Sequence, residues 1–88
     1  MAEFLEEYFA NIETNEGTVA ASANVSFSRQ SAKLIVTNDS ATKDLIVKMK
    51  PTTDGLTLKP TETLTIHYRT RQIALIGSNV DYRVWAFG

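Results

Sequence analysis

From Thr18 onward, apolar and polar residues alternate along short runs of the chain, and this period of two constrains the fold more than any other feature. The alternation is clearest where Leu64, Ile66 and Tyr68 are interleaved with threonine and histidine. Successive side chains of a β-strand point to opposite faces, so each run predicts a strand with one buried face. Turn-forming residues separate seven such runs at roughly 8–12 residue intervals. The sequence therefore predicts a mainly β domain, either a sandwich or a small barrel.

One side of these runs supplies the predicted core. Its members are the apolar residues that share one side of each alternation: Phe27, Leu34, Val36, Leu45, Val47, Leu56, Leu58, Leu64, Ile66, Ile73, Leu75, Tyr82 and Val84. Ile35 and Ile46 break the simple alternation. We expect them to lie under an N-terminal helix or at a contact between subunits.

The first fifteen residues follow a helical period instead. Their apolar residues, spaced as on one face of a helix, are Phe4, Leu5, Tyr8, Phe9 and Ile12. This spacing predicts a helix of about three turns, which is too short to be stable alone in water. Its aromatic face therefore needs cover from its own domain or from another subunit. We divide the chain into an acidic helical arm, residues 1–16, and a β-sandwich domain, residues 17–88.

Charge is divided between the same two segments. Residues 1–16 hold five glutamates and no Lys or Arg, a net charge of −5, whereas residues 17–88 hold nine basic and five acidic residues, a net charge of +4. The sum is the net charge of −1 of the whole chain. An acidic arm on a basic body indicates contact with a basic surface of the same chain or of a neighbour. A solvated tail is the alternative.

Candidate catalytic and cofactor-binding groups are few. His67 is the only histidine, and no nucleophile or carboxylate pair is marked near it, so we expect no enzyme activity. The chain has no cysteine and no dense set of oxygen ligands, so we expect no metal ion or other cofactor. The small net charge argues against nucleic-acid binding, and no apolar run approaches the roughly 18–20 residues of a membrane span.

Exposed aromatic residues and arginines indicate a protein interface. Trp85 and Phe87 fall on the outward side of the last predicted strand, and with the aromatics of the arm they exceed what a small domain ordinarily leaves in water. Either the helix folds back onto them within one chain, or they form a seam between subunits. Arg69, Arg71 and Arg83 belong to the same predicted interface. The alternative for Arg69 and Arg71 is that they flank a hairpin and face solvent or pair with a carboxylate.

Three runs of the chain resemble parts of Ig-like β-sandwiches. The runs Leu34–Ser40 and Asp44–Val47 resemble the B and C strands of such domains. The run Leu56–Ile66 is similar to their "L-x-P-G-E-x-L-x-I" corner, with Thr61 where glycine is usual. This resemblance implies an Ig-like antiparallel β-sandwich of about seven strands, with a short N-terminal helix or arm.

The last residues carry a second resemblance. The ending Tyr82–Gly88, after the turn-forming run Ile73–Gly77, is similar to the last strand of small virion proteins of tailed bacteriophages. The resemblance implies a non-enzymatic virion structural protein, most simply a capsid decoration or cement subunit, with a tail or connector subunit as the alternative. Its implied partners are the major capsid protein or other virion proteins and further copies of itself, for example in a trimer. Its implied location is the virion, after assembly in the host cytoplasm.

A second hypothesis comes from a different functional class. A small sandwich can also be a binding module that recognises a cell-surface glycan or protein through its loops. Such a module would carry aromatic residues at its loop tips, where a sugar ring can stack. The predicted loops hold Asn, Asp, Ser, Thr and Gly instead, and this distribution favours assembly.

Overall fold

The computed structural model describes residues 12–49 and 55–88, which form eight β-strands and no helix. The strands are β1 (Ile12–Val19), β2 (Ser22–Ser26), β3 (Lys33–Asn38), β4 (Leu45–Lys48), β5 (Leu56–Leu58), β6 (Thr63–Ile66), β7 (Gln72–Ile76) and β8 (Val80–Phe87). Strands β2 to β8 each overlap one of the seven alternating runs of the sequence, although β2 shares only Val25 and Ser26 with its run. This part of the chain contains no helix that could cross a membrane.

The strands pair as a long hairpin that is rolled into two sheets. β1 pairs with β8, β2 with β7, β3 with β6 and β4 with β5, and every pair is antiparallel. Two further pairings, β3 with β8 and β4 with β7, divide the hairpin into sheet 1, ordered β1-β8-β3-β6, and sheet 2, ordered β2-β7-β4-β5. Eight strands in this arrangement form a jelly roll.

The prediction of an Ig-like sandwich is therefore wrong at the level of topology, although the mainly β class is confirmed. An Ig-like domain divides about seven strands differently between its sheets. Here the first strand of the described chain pairs along its whole length with the last, from Ile12 opposite Phe87 to Val19 opposite Val80. The same alternation of apolar residues serves both topologies, because it only requires that each strand bury one face.

The core lies between the two sheets. It is formed by side chains that are nearly all aliphatic: Val19, Val25, Phe27, Leu34, Val36, Leu45, Val47, Leu58, Ile73, Leu75, Val80, Tyr82, Val84 and Ala86. Ten of the thirteen predicted core residues are buried. Leu64 and Ile66 are partly buried against the core, whereas Leu56 is 50% exposed because β5 is the edge strand of sheet 2.

The predicted N-terminal helix is wrong for residues 12–15, whereas the division of the chain into an arm and a domain stays a prediction. Residues 12–15, the last part of the predicted helix, belong to β1, because their backbone pairs with β8. Ile12 is 39% exposed at the start of that strand. The candidate residues Phe4, Leu5, Tyr8 and Phe9 lie outside the described residues.

Candidate functional site

The direction of the strands brings three loops to one end of the jelly roll. Neighbouring strands are antiparallel, so the connections β2–β3, β4–β5 and β6–β7 all lie at the end where β8 finishes at Phe87. The start of β1 at Ile12 lies at this end too, since it pairs with Phe87. The other connections lie at the opposite end.

The two ends differ in charge. The described residues at the Phe87 end carry five cationic groups and one anionic group, Glu13, a net charge of +4. The cations are Arg29, Lys33, Lys48, Arg69 and Arg71. The opposite end carries four acidic and two basic groups, a net charge of −2; these are Asp39, Asp44, Glu62, Asp81, Lys43 and Lys59. We call the Phe87 end the basic end, because its field attracts anions.

Hydrogen bonds fix the two described loops of the basic end to each other. The backbone N–H groups of Phe27 and Ser31 donate to the carbonyl oxygens of Arg71 and Thr70, each at 2.8 Å. The Ser31 hydroxyl donates to the Tyr68 carbonyl oxygen at 3.0 Å. The guanidinium of Arg71 donates through Nη2 to the Ser28 carbonyl oxygen at 2.8 Å. This last bond holds the guanidinium in place, and its other N–H groups donate to no group in residues 12–49 and 55–88.

Glu13 is the one carboxylate of this end, and it is held by the same loop. Both of its carboxylate oxygens accept from the Ser28 backbone N–H, at 3.0 and 3.1 Å, and the Ser28 hydroxyl donates to it as well. The hydroxyl bond, the backbone bond and the nearby Arg29 lower the pKa of Glu13 below its ordinary value. Its charge therefore ties β1 to the β2–β3 loop.

A groove of about 330 Å³ opens at the basic end on the β2–β7 side of sheet 2. Its polar walls are Asn24, Thr70, Arg71 and Gln72, and Met49 adds an apolar wall. Thr70 is itself fixed, since its hydroxyl donates to the Gln72 carbonyl oxygen at 2.7 Å. A groove lined by an arginine and by two residues with side-chain amides can bind a carboxylate or phosphate and its neighbouring hydroxyl groups.

The candidate arginines of the sequence fall into two places. Arg69 and Arg71 lie in the β6–β7 loop of the basic end. Arg83 lies in β8 on the outer face of sheet 1, where Nε donates to Asp39 Oδ2 at 2.7 Å and Nη2 to Oδ1 at 3.0 Å. This ion pair raises the pKa of the Arg83 guanidinium further above its already high value. The arginines thus do not form one surface.

The candidate aromatics also differ from each other. Trp85 is half-buried on the outer face of sheet 1, and the Arg83 guanidinium carbon lies 5.2 Å from its ring centroid. Phe87 has the same outward alternation, but it is only 4% exposed. Lys33 Nζ lies 5.5 Å from the Phe87 ring centroid. Phe87 is therefore buried, which fits the alternative that it is covered within its own chain, and its place in an interface stays a prediction.

The groove residues Asn24, Met49, Thr70 and Gln72 were not predicted as a site. They carry no motif, and they meet only because β2, β4 and β7 are neighbours in sheet 2. Arg29 was missed for a similar reason. Residues 12–49 and 55–88 hold no group of three or more His, Cys, Asp and Glu side chains that could bind a metal ion.

Comparison with known proteins identifies the fold. Neither a protein-family model nor a curated protein sequence matches this chain. A solved structure from Neisseria meningitidis matches with a TM-score of 0.59 at 7% identity, over 96% of each chain. A cupin superfamily protein from Desulfitobacterium hafniense matches with a TM-score of 0.57 at 10% identity, over 86% of this chain and 65% of that one.

An enzyme is among the structures with this fold. The polyketide cyclase RemF from Streptomyces resistomycificus matches with a TM-score of 0.56 at 10% identity, over 86% of this chain and 54% of that protein. The chain thus has a cupin-like jelly-roll fold, and it spans less than two thirds of the length of RemF and of the Desulfitobacterium protein. A shared fold does not assign a shared activity.

These matches correct the functional expectation. The prediction of a phage virion protein, and with it the capsid-decoration role and the virion location, is wrong, because the similar structures include bacterial cupin-superfamily proteins and nothing among them points to a phage particle. The expectation that the chain is not an enzyme has no support from the fold, since one protein with this fold is a cyclase. Self-association, like the expected lack of nucleic-acid and membrane binding, stays a prediction.

Proposed function

We propose that this chain is a ligand-binding jelly-roll module that binds a small organic anion in the groove of the basic end. The observation that carries the proposal is the position of Arg71: this residue lines the groove, its guanidinium is fixed by the Ser28 carbonyl oxygen, and the described side chains of this end have a net charge of +4. Guanidinium groups pair with carboxylates and phosphates through two parallel hydrogen bonds.

The other walls of the groove define the rest of the ligand. The amides of Asn24 and Gln72 both donate and accept, so they suit hydroxyl groups, and Met49 provides a contact for an apolar edge. A groove of about 330 Å³ is at the small end of ligand sites, so it accommodates one sugar-sized molecule. The ligand class is therefore a hydroxylated carboxylate or phosphate, such as an acidic sugar.

The packed interior supports the choice of the groove over the centre of the jelly roll. In many barrels the interior itself holds the ligand. Here side chains such as Leu34, Leu45, Ile73 and Leu75, each at most 1% exposed, fill the space between the sheets. A polar ligand gains no hydrogen bonds there, and it would displace packed aliphatic groups.

An NMR titration of the ¹⁵N-labelled full chain tests this function. Glucuronate and glucose 6-phosphate are the probes, and neutral glucose is the matched control. We expect both anions to shift the amide signals of Asn24, Arg71 and Gln72 in a saturable way, with weakening at high salt. Glucose should produce much smaller shifts. Equal shifts with glucose, or shifts confined to other regions, would contradict an anion site in this groove.

Substitution of Arg71 provides the second arm. Arg71→Gln should weaken anion binding by about tenfold, because it removes one charge-assisted pairing. Lys43→Gln removes the same charge from the opposite end and should leave the affinity nearly unchanged. Arg69→Gln, in the same loop but outside the groove lining, should have an intermediate effect through the field alone. A loss with Lys43→Gln equal to that with Arg71→Gln would indicate non-specific charge attraction and overturn the proposal.

A further inference from the structure

The outer face of sheet 1 has an apolar centre. Residues such as Val36 and Val84 point from this sheet into the core, so the residues next to them along each strand point away from the core. Trp85 and Ile35 are cross-strand partners on the outer side, and both are half-buried. Ile12, at the corner of the same face, is 39% exposed. Three apolar side chains that are partly exposed on one face of a sheet can contact a partner.

Charged residues are arranged around this centre in a regular way. In the pairing register, the first row of the face holds Ile12, Phe87 and Lys33, of which Phe87 is only 4% exposed. The second row holds Trp85 and Ile35. The third row holds Glu16 and Arg83. Lys33 and Glu16 therefore occupy diagonally opposite corners around Trp85, two strands and two rows apart. They are too far apart to pair within one chain.

This diagonal arrangement is self-complementary. Consider a second copy packed face to face on the first, with Trp85 at the centre of the contact and its strands at about a right angle to those of the first copy. In this arrangement Glu16 of each copy meets Lys33 of the other. A crossing near 90° is one of the two preferred arrangements of packed sheets. A two-fold symmetric contact of this kind places the same patch on both subunits. It also brings Trp85 against the partner's Trp85.

A shallow depression beside the tryptophan favours the same contact. It is lined by Thr14, Asn15, Glu16, Arg83 and Trp85 among others, and its volume is about 300 Å³. The guanidinium over the Trp85 ring and the ion pair of Arg83 with Asp39 keep this region in a defined conformation. A protruding apolar side chain of a partner can enter the depression without rearrangement of the strands.

We propose that the outer face of sheet 1 binds a second copy of this chain, with Glu16 and Lys33 pairing reciprocally across the contact. Two strands of eight residues, one of six and one of four, about 4.8 Å apart, give a face of at most roughly 400 Å² per copy, or about 800 Å² buried in total. This area is at the low end for specific complexes, so the dimer is weak, with a dissociation constant in the micromolar to millimolar range. The contact leaves the groove of sheet 2 open, and it does not depend on the proposed ligand.

Sedimentation analysis of the full chain from low micromolar to millimolar concentration measures this association. We expect a reversible monomer–dimer equilibrium and a concentration-dependent blue shift of the emission of Trp85, the only tryptophan. Trp85→Ala should raise the dissociation constant by about tenfold or more. A monomer at every concentration overturns the proposal. If residues 1–11 of the same chain cover Trp85 instead, the emission is blue-shifted but independent of concentration, and this result overturns it too.

Charge reversal gives a test that does not depend on the apolar centre. Lys33→Glu and Glu16→Lys should each weaken the dimer by about tenfold. In a symmetric dimer the contact between positions 16 and 33 occurs twice, and each variant places two like charges at both contacts. The double variant should recover the original dissociation constant, and an equimolar mixture of the two single variants should form a heterodimer. Lys48→Glu, on the outer face of sheet 2, is the control and should have little effect. A dimer that forms but shows neither rescue would reject this face as its interface.

Discussion

At the scale of single residues, Thr61 has a backbone conformation that β-branched residues rarely adopt. Its φ is 67°, in the left-handed region, between Pro60 and Glu62 in the β5–β6 connection. The carbonyl oxygen of Lys59 accepts from the Glu62 backbone N–H at 3.1 Å, and this bond closes the turn. The sequence marked this position as one where glycine is usual in similar corners, and the backbone explains the preference, because glycine has no Cβ to clash.

Thr61→Gly should therefore stabilise the fold. The relief of strain is about 1–2 kcal/mol, and it is partly offset by the larger conformational entropy of glycine in the unfolded chain. We expect a net gain of about 0.5–1 kcal/mol, which raises Tm by several degrees in a domain of this size. Thr65→Gly, in the regular strand β6, should lower Tm and serves as the matched control. A lower Tm for Thr61→Gly would contradict the argument from strain.

Glu13 makes the stability depend on pH. Its folded-state pKa is lowered, first by the hydrogen bond from the Ser28 hydroxyl and then by that from the Ser28 backbone, so the folded chain binds this proton less readily than the unfolded chain does. The stabilisation is complete above the ordinary value of 4.5 and is lost as the pH falls through the folded-state pKa. Glu13→Gln should be less stable than the wild type at neutral pH, and the difference should shrink in acid.

Urea unfolding of both proteins across the acid range measures this difference. Ser28→Ala removes the hydroxyl partner and should reproduce part of the effect of Glu13→Gln. Glu62→Gln is the control, because it alters a carboxylate at the opposite end of the jelly roll. If the difference between the wild type and Glu13→Gln were constant from neutral to acid pH, the link between this carboxylate and the fold would be wrong.

At the scale of elements, Asn38 connects the two sheets. It is the last residue of β3, in sheet 1, and its exposed fraction is 0%. Its Nδ2 donates to the carbonyl oxygens of Lys43, at 2.8 Å, and of Leu58, in β5 of sheet 2, at 3.0 Å. Its Oδ1 accepts from the Ser40 backbone N–H at 2.9 Å. One buried amide thus fixes the β3–β4 connection and joins it to β5.

Asn38→Ala should destabilise the domain strongly. The substitution removes this partner from the buried Leu58 carbonyl oxygen and from the partly buried Lys43 carbonyl and Ser40 N–H. A buried group costs about 1–3 kcal/mol when it stays unsatisfied. Because water can enter the vacated space, we expect a loss of about 2–4 kcal/mol in urea unfolding. Asn24→Ala, an exposed asparagine of β2, should change the stability by less than about 0.5 kcal/mol. Similar losses for both variants would show that the buried hydrogen bonds of Asn38 contribute little.

The strands themselves could be predicted from the sequence where each one has an apolar side. Strands β2 to β8 were found in this way, because period-two alternation follows directly from burial of one face. β1 was missed, since it is an edge strand and seven of its eight residues are exposed or half-buried. Because β1 has no apolar alternation of its own, its first residues were predicted as the end of the N-terminal helix.

At the scale of the whole molecule, the sequence pattern does not predict which strands pair with each other. An apolar alternation says that a strand buries one face, but it does not say which strand lies beside it. The basic end could have been predicted, however. In an arrangement where successive strands alternate in direction, alternate connections lie at the same end, so the loops containing Arg29 and Arg71 had to lie at one end of the domain. The groove could not have been predicted, because it forms only when β2, β7 and β4 are neighbours in one sheet.

The pairing of the first strand with the last, the second with the seventh and so on also predicts the order in which the strands pair during folding. Only β4 and β5 are neighbours both along the chain and in a sheet, whereas β1 reaches β8 across nearly the whole length of the domain. The entropy of closing a loop must be lost before its contacts form, so the long-range pairing is expected late in folding. A small all-β domain with such pairing should fold on the millisecond to second timescale.

Two core truncations test this order. Leu58→Ala, in β5, removes a contact next to the β4–β5 hairpin, and Val19→Ala, in β1, removes a buried contact of the β1–β8 pair. Each should cost about 1–4 kcal/mol, which is enough for a reliable kinetic analysis. In stopped-flow experiments that follow Trp85 fluorescence, Leu58→Ala should mainly slow folding, and Val19→Ala should mainly speed unfolding. The reverse partition would mean that β1 and β8 join first, and that the jelly roll closes from the open end of the long hairpin rather than from its tip.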